Sequence, residues 1–281
     1  MIAMHARRYT FHPLDRDKGR GNSADSGHTL LELMIALALS LLVIAGALRL
    51  YQAQREAFAR TADAQSMRDA GATALTLLAQ HIQMAGFVPP DWSLPRSYIE
   101  PVIFGCSNMG STDRASAVRC AALAQHSDAI TVRYVGDTVS TWPSAAGEVT
   151  DCLGQRVGNA GEPAVIVNRF FVDRPRAGGE WQLYCEGNGK VRGKQPVVAG
   201  IERLAIGYWL RGEQMPLRAH EIAADRWEQV IAVDVCVVVR GAWSTQPTRY
   251  TDCDGARLPN VDRHTRETFS RHVVVRNSEA I

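Results

Sequence analysis

Glu32 is the residue whose type and position most invite a chemical role, because it is a carboxylate inside a long apolar segment. Residues 30–48 carry no other charge, and as a helix they would extend roughly 28 Å, about the thickness of a bilayer core. A carboxylate in such a segment is costly to remove from water and needs a partner of opposite charge. If the chain were cut between Gly27 and His28, the new α-amino group would lie one helical turn before Glu32, on the same face of the helix.

The cysteines are the second set of reactive side chains, and all six follow the apolar segment. They show no Cys-x-x-Cys spacing and no clustering with histidine, so a zinc site is not expected. In an oxidising compartment they would form disulfides, each stabilising the fold by about 3 kcal/mol. Proximity along the chain favours the sequential pairs, although the sequence permits other connectivities. These pairs are Cys106–Cys120, Cys152–Cys185 and Cys236–Cys253.

The motifs of common enzymes are not found in the sequence. There is no His-Glu-x-x-His, no Gly-x-Ser-x-Gly and no Walker loop. Residues 105–110 place a serine between glycines at the wrong spacing for a nucleophile elbow, and we predict a turn that holds a disulfide. Asp252 could open a calcium-binding loop, but Arg263 stands where the closing acid is required, so a β-turn is favoured. We therefore predict no catalytic residue, no metal site and no cofactor.

The stretch that begins at Gly27 resembles the prepilin peptidase site of type IV pilins and of type II secretion pseudopilins. The resemblance consists of a glycine at the cut, a glutamate five residues later and an uninterrupted apolar helix. That family usually has phenylalanine directly after the cut, and this chain has His28 there. The resemblance implies that prepilin peptidase cleaves between Gly27 and His28, that the new N-terminus is methylated, and that Glu32 pairs with an N-terminal amine during assembly.

The charges around the apolar segment predict its orientation. Five cations precede it and Arg49 stands at its exit, which places the N-terminus in the cytoplasm and the later residues in the periplasm. Two other interpretations remain open. Residues 45–47 have the form of a signal peptidase site, and an unprocessed single-pass anchor would have the same apolar length. A secretory signal is disfavoured by the long mixed-charge region before the segment and by Glu32 within it.

Three regions are predicted: a leader at residues 1–27, a long helix at residues 28–85 and a β-rich periplasmic domain at residues 86–281. The helix would be roughly 85 Å long, whereas a compact domain of this size has a radius of gyration of about 16 Å. The domain cannot cover such a helix along its whole length. Its apolar first half must therefore be covered by lipid or by neighbouring helices.

The two halves of the predicted helix differ in character. Residues about 30–48 would span the membrane, and residues about 49–84 would be amphipathic, with apolar side chains from Phe58 onward at helical spacing. His81 lies on this apolar face and is interpreted as a packing histidine. Gly86 and the prolines that follow it end the helix.

Strand patterns in the C-terminal region predict an antiparallel sheet. In residues 230–240 the odd positions are β-branched, and Cys236 lies on the opposite face, where it could reach a covering loop. The other predicted strands are 129–135, with Ile130, Val132 and Tyr134 inward, and 164–172, 180–186, 202–210 and 268–276. The predicted loops are 107–117, 136–162, 173–179, 211–226 and 241–266.

Several of these segments resemble the PilW branch of minor pilins, namely residues 127–134, 198–208, 227–233 and 273–277. The resemblance implies an α+β pilin fold, in which a long N-terminal helix packs on an antiparallel β-sheet with disulfide-stapled loops. It also implies a non-enzymatic minor pilin of the type IV pilus, active in pilus assembly as part of a priming complex at the pilus tip.

The same resemblance implies a set of partners and a location. The partners are prepilin peptidase, other minor pilins, the major pilin, the inner-membrane assembly platform, and membrane lipid before assembly. The location is the inner membrane, and the pilus tip after assembly. A minor pseudopilin of a type II secretion system is the alternative, and a membrane-anchored periplasmic enzyme or lectin is a remote one. Without the charges of residues 1–27 the chain is formally neutral, so nucleic-acid binding is not expected.

Overall fold

The structure is a computed structural model that forms two compact units, residues 1–56 and residues 57–281. The residues that it describes are 29–90, 92–93, 95–114, 117–122, 127–138, 141–159, 162–175, 178–190 and 193–278. Gly27 and His28, the residues on either side of the expected cut, lie outside this described part.

Helix α1 spans Leu30–Met84. The described part of the first unit is the beginning of this helix, and every side chain from residue 30 to residue 56 is exposed. The segment is rich in leucine and alanine and holds no proline, so its composition favours a helix. Among the described residues α1 is long and apolar enough to cross a membrane.

Within the second unit, α1 buries one face from Met67 onward. The buried positions recur every three or four residues, as expected for a helix that packs on one side, and they are Met67, Gly71, Ala74, Leu75, Leu78, Ala79, His81 and Ile82. Phe58, which the sequence pattern assigns to the apolar face, is 77% exposed. The helix ends where Gly86 adopts a positive φ of 74°, as the sequence predicts. The side-chain amide of Asn277 donates to the carbonyls of Gln83 and Ala85, at 3.3 and 3.1 Å, and so caps this end.

The first sheet is antiparallel and has the strand order β1-β4-β5-β6-β7. In chain order the strands of this region are β1 (Ile103–Cys106), β2 (Met109–Arg114), β3 (Ala117–Ala122), β4 (Ala129–Gly136), β5 (Ala164–Asp173), β6 (Gln182–Gly187) and β7 (Lys194–Ala199). Strands β2 and β3 pair separately as a hairpin. Strand β4 is buried along its whole length, including Thr131 and Arg133, so both of its faces are covered.

The second sheet has the order β12-β9-β8 and is also antiparallel. Its strands are β8 (Ile201–Leu210), β9 (Val230–Trp243) and β12 (His264–Val274), and a small hairpin is formed by β10 (Arg249–Thr251) and β11 (Arg257–Pro259). In β9 the odd positions Val233, Val235, Val237 and Val239 are buried in the main core. The prediction for this strand is confirmed at these four positions, whereas Ile231 is only half-buried.

Several short elements fall where the sequence predicts loops. Strands β2 and β3 lie in and beside the predicted loop 107–117, and β10 and β11 lie in the loop 241–266. Strand β7 was not predicted at all. These segments are short, and β7 contains Pro196, so they lack the alternating apolar pattern that marks a strand. Their strand conformation comes from pairing with a neighbour.

Candidate assembly site

Thr29 and Glu32 form a reciprocal cap at the start of α1. The Glu32 carboxylate accepts the backbone N–H of Thr29 at 2.9 Å, and the Thr29 hydroxyl accepts the backbone N–H of Glu32 at 3.3 Å. This is the capping-box arrangement, in which two N–H groups that have no partner inside the helix are satisfied by side chains. The carboxylate is therefore held beside the chain segment that precedes the helix.

The helix that follows this cap presents apolar side chains on all sides. Leucine, isoleucine, valine and methionine side chains between residues 30 and 50 are each at least half exposed in the isolated chain. Ser40 carries the one hydroxyl among residues 30–48. This hydroxyl donates a hydrogen bond to the carbonyl of Ala36 at 2.7 Å, so it adds no unpaired donor to the apolar surface. A continuous apolar surface of this kind marks a region that is covered by lipid or by other helices.

All six cysteines are paired, in the sequential pattern that chain proximity favours. Cys106–Cys120 joins β1 to β3, and Cys152–Cys185 ties the segment before β5 to β6. Cys236, on the face of β9 away from the main core, reaches Cys253 in the turn that follows β10. Each bond ties a loop or a short strand to a neighbouring strand or turn.

The acidic turn around Asp252 is held by hydrogen bonds within the turn and by arginines. One Asp252 oxygen accepts the backbone N–H groups of Asp254 and Ala256, both at 3.0 Å, which closes the turn. The other Asp252 oxygen accepts a hydrogen bond from the guanidinium of Arg203 at 2.9 Å. Within the described residues no group of three or more His, Cys, Asp or Glu side chains could hold a metal ion. The β-turn prediction is confirmed.

His81 packs inside the second unit. Its Nδ1 atom lies 3.2 Å from the side-chain amide nitrogen of Asn168, which makes that ring nitrogen an acceptor and the ring neutral. The ring also packs against Phe170 and Trp142. Burial lowers the pKa of His81 from 6.5 to about 4, because a charged imidazolium would have to leave water.

Asp128 joins the two sheets, and sequence reasoning did not single it out. Its carboxylate accepts the backbone N–H of Asn108 at 2.9 Å and that of Ile206 in β8 at 2.8 Å. Its own backbone N–H donates to the carbonyl of Leu204 at 2.9 Å. The sequence signal for this role is a Ser-Asp pair directly before a strand. The pair does not identify the residues that Asp128 bonds, because they are far away in the sequence.

The comparisons with known proteins match two separate regions. Residues 169–277 match the family model described as Type IV Pilus-assembly protein W, and residues 22–48 match the prokaryotic N-terminal methylation motif. A search of curated proteins finds no match. Among solved structures, a type IV-like pilin from Thermus thermophilus aligns with 75% of this chain and 96% of its own, at 13% identity and a TM-score of 0.42.

The matched regions coincide with the elements described above. The methylation motif covers the capping box and the apolar start of α1, and it implies processing by prepilin peptidase and pilin partners. The other match runs from within β5 to just beyond β12 and includes the whole second sheet. With an apolar N-terminal helix, antiparallel sheets and three disulfides, the chain is similar to the PilW-type minor pilins over these two matched regions.

Proposed function

We propose that this chain acts in type IV pilus assembly, within a complex of minor pilins at the pilus tip that primes polymerisation of the major pilin. The observation that carries the proposal is the occurrence of the methylation motif and the PilW region in one chain. The exposed apolar surface of residues 30–48 supports it, since that surface needs lipid before assembly and neighbouring helices afterwards. On this proposal the chain is a structural subunit and the chemistry belongs to the peptidase.

The proposal includes one cut and one ion pair. Prepilin peptidase would cleave after Gly27, and the α-amino group of His28 would become the charged partner of Glu32. The capping box supports this, because the Glu32 carboxylate already accepts the N–H of Thr29, the residue next to His28. In a filament interior without water, an amine offsets the desolvation of the carboxylate and fixes the stagger between subunits.

The orientation in the membrane follows from the charges. The cations before residue 30 would keep the N-terminus in the cytoplasm, and the disulfide-bonded second unit would lie in the oxidising periplasm. In that position the chain can meet the inner-membrane assembly platform and the other pilins before it enters the pilus.

The role of Glu32 is tested with two substitutions. Glu32→Leu removes both the cap and the charge, whereas Glu32→Gln removes the charge and keeps an oxygen that can cap the helix. We expect both variants to insert in the membrane and both to give fewer pili, counted in sheared surface fractions and by electron microscopy. Normal pilus numbers with Glu32→Gln would contradict the ion pair.

The second candidate is a minor pseudopilin of a type II secretion system, which the methylation motif alone would fit equally well. Deletion of the gene separates the two. Loss of surface pili and twitching with intact secretion supports the pilus assignment. Loss of secreted exoproteins with intact pili would instead assign the chain to the secretion system.

A further inference from the structure

The two larger sheets of the described residues have four edges between them, and three of these edges are protected against pairing with another chain. In the first sheet, β1 contacts the turns at Ala219–Glu221 and Ala224–Gln229. The opposite edge strand, β7, contains Pro196, which has no N–H, and its pairing with β6 is bulged. Proline and bulges are devices that prevent edge-to-edge association.

The third edge, that of β8, is closed by hydrogen bonds from other segments. Residues 127–128 bond the backbone of Leu204 and the N–H of Ile206, at 2.8–2.9 Å. Tyr208 exchanges two backbone hydrogen bonds with Leu217, both at 2.8 Å. The outward backbone groups at these three β8 positions therefore have partners.

The fourth edge, that of β12, is open over its C-terminal half. Val275 donates its N–H to the carbonyl of Ile231 in β9 at 2.9 Å, and the register with β9 is unbroken from Arg266 to Val274. Because antiparallel bonds alternate, the N–H and C=O groups of Ser270, His272 and Val274 point away from β9. These three residues are exposed, and across the described ranges no protein group bonds their outward backbone.

The N-terminal half of the same edge is covered by a hairpin of this chain. The Thr268 hydroxyl donates to the carbonyl of Thr251 in β10, and the guanidinium of Arg266 lies over the ring of Tyr250. The open stretch therefore begins after Thr268. It is three outward residues long, enough for an extended segment of about five residues to pair with it.

A groove of about 740 Å³ borders this open stretch, and its lining is aromatic, aliphatic and cationic. Its lining includes the apolar side chains of Trp209, Ala232 and Val274 and the cationic side chains of Arg211 and Arg276. The nearby carboxylate of Asp234 is occupied, since it accepts the indole N–H of Trp209 at 2.7 Å and lies 2.6 Å from Nδ1 of His272. Arg211 and Arg276 form no ion pair with any residue that the structure describes. The groove therefore presents uncompensated positive charge to a partner.

We propose that residues 270–276 pair with an extended acidic segment of a different pilin subunit, which adds a strand to the second sheet and places a carboxylate on Arg211 and Arg276. Hydrogen bonds between the two backbones supply the affinity, and the groove selects which side chains of the partner fit, as in other cases of strand addition. The same edge of a second copy of this chain is disfavoured as the partner, because residues 270–276 include two arginines and no acidic residue. The proposal rests on the proposed function, since it requires that the chain assembles with other pilins.

The position of the contact is tested by photo-crosslinking in cells that assemble pili. A photoreactive amino acid replaces Val274, which is 56% exposed beside the groove, and in a matched control it replaces Val261, which is 88% exposed elsewhere. The expected result is an adduct with another pilin from position 274 and none from position 261. Mass spectrometry should locate the adduct in an extended segment that contains Asp or Glu.

The pairing itself is tested with Ser270→Pro and its control Ser270→Ala. Proline removes only an outward N–H, so the ladder with β9 is kept, while its ring blocks an incoming strand. We expect Ser270→Pro to reduce the adduct from position 274 by about tenfold and Ser270→Ala to leave it unchanged. Disulfide formation and protease resistance of the full chain verify that both variants fold.

Each other outcome overturns the proposal. An adduct with a second copy of this chain, an adduct with lipid, or no adduct in piliated cells would show that no acidic pilin strand pairs here. An adduct that persists in Ser270→Pro would show a contact without strand pairing. If deletion of the gene abolishes pili while the Ser270→Pro chain restores them fully, the proposed function stands and this inference alone fails.

Discussion

His81 gives the second unit a defined pH dependence. In the unfolded chain its pKa would be near 6.5, and in the folded chain burial lowers it to about 4. Between these two values the unfolded state binds more protons, so stability is complete above pH 6.5 and falls as the pH drops toward 4, by up to about 3 kcal/mol. Below pH 4 this contribution no longer changes.

Denaturant titrations of the full chain in detergent, repeated from pH 7.5 to pH 4, measure this effect. The control is His81→Leu, which has no proton to bind at this position. We expect a smaller loss of stability in the variant than in the natural chain over the window from pH 6.5 to 4. Equal losses in the two proteins would show that His81 is not kept neutral by burial.

Asp128 is predicted to be one of the most sensitive carboxylates in the second unit. Asp128→Ala leaves the N–H groups of Asn108 and Ile206 without their acceptor. The N–H of Ile206 is buried, and a buried donor without a partner costs about 1–3 kcal/mol of unfolding free energy. The exposed Asp225 is a matched control, and Asp225→Ala should change stability by less than about 0.5 kcal/mol. Similar effects of the two substitutions would refute this role.

The residues that carry the site differ in how well a sequence reveals them. Glu32 and Gly27 are visible because their roles depend on neighbours a few positions away. Asp128 and Asn277 are not visible, because they bond residues 78 and about 190 positions distant. Only the folded chain brings such partners together.

Among the elements, α1 depends on one close approach to the second sheet. A Cβ at Gly71 would lie 2.4 Å from Cδ2 of Phe269 in β12, so no other residue fits without movement. Nearby, the Asp63 carboxylate accepts the N–H of Ala242 and the hydroxyl of Thr265, at 2.7 and 2.8 Å. The helix is thus held by packing and by hydrogen bonds at neighbouring turns.

Gly71→Ala tests this contact. Alanine favours a helix by about 1 kcal/mol over glycine, whereas overpacking costs about 1–3 kcal/mol, so we expect a net loss of up to about 2 kcal/mol in unfolding free energy. Phe269→Leu should relieve the clash, and a double-mutant cycle measures the coupling. Additive effects of the two substitutions would argue against the close approach.

The long elements could be predicted from the sequence and the short ones could not. The end of α1 at Gly86 and the buried face of β9 follow from local patterns, since proline, glycine and alternating valines act within a few residues. Strands β2, β3, β7, β10 and β11 have no such pattern. They exist because a paired neighbour or a disulfide holds them, which is information that a single segment does not contain.

At the scale of the whole molecule, the two units differ in whether their apolar side chains are buried. The second unit buries its apolar side chains and carries all three disulfides. The described residues of the first unit expose theirs. On the proposed function, such a chain would be stable in the membrane as a precursor and in a filament as a subunit, and the change between the two states would depend on cleavage before Glu32.

That cleavage is the central claim, and the most direct test is the intact mass and N-terminal sequence of the protein from membranes of cells with and without prepilin peptidase. With the peptidase, the account predicts a chain that begins at His28, and without it a longer precursor. A protein that begins at Met1 despite an active peptidase, or one that begins at Leu48, would contradict it.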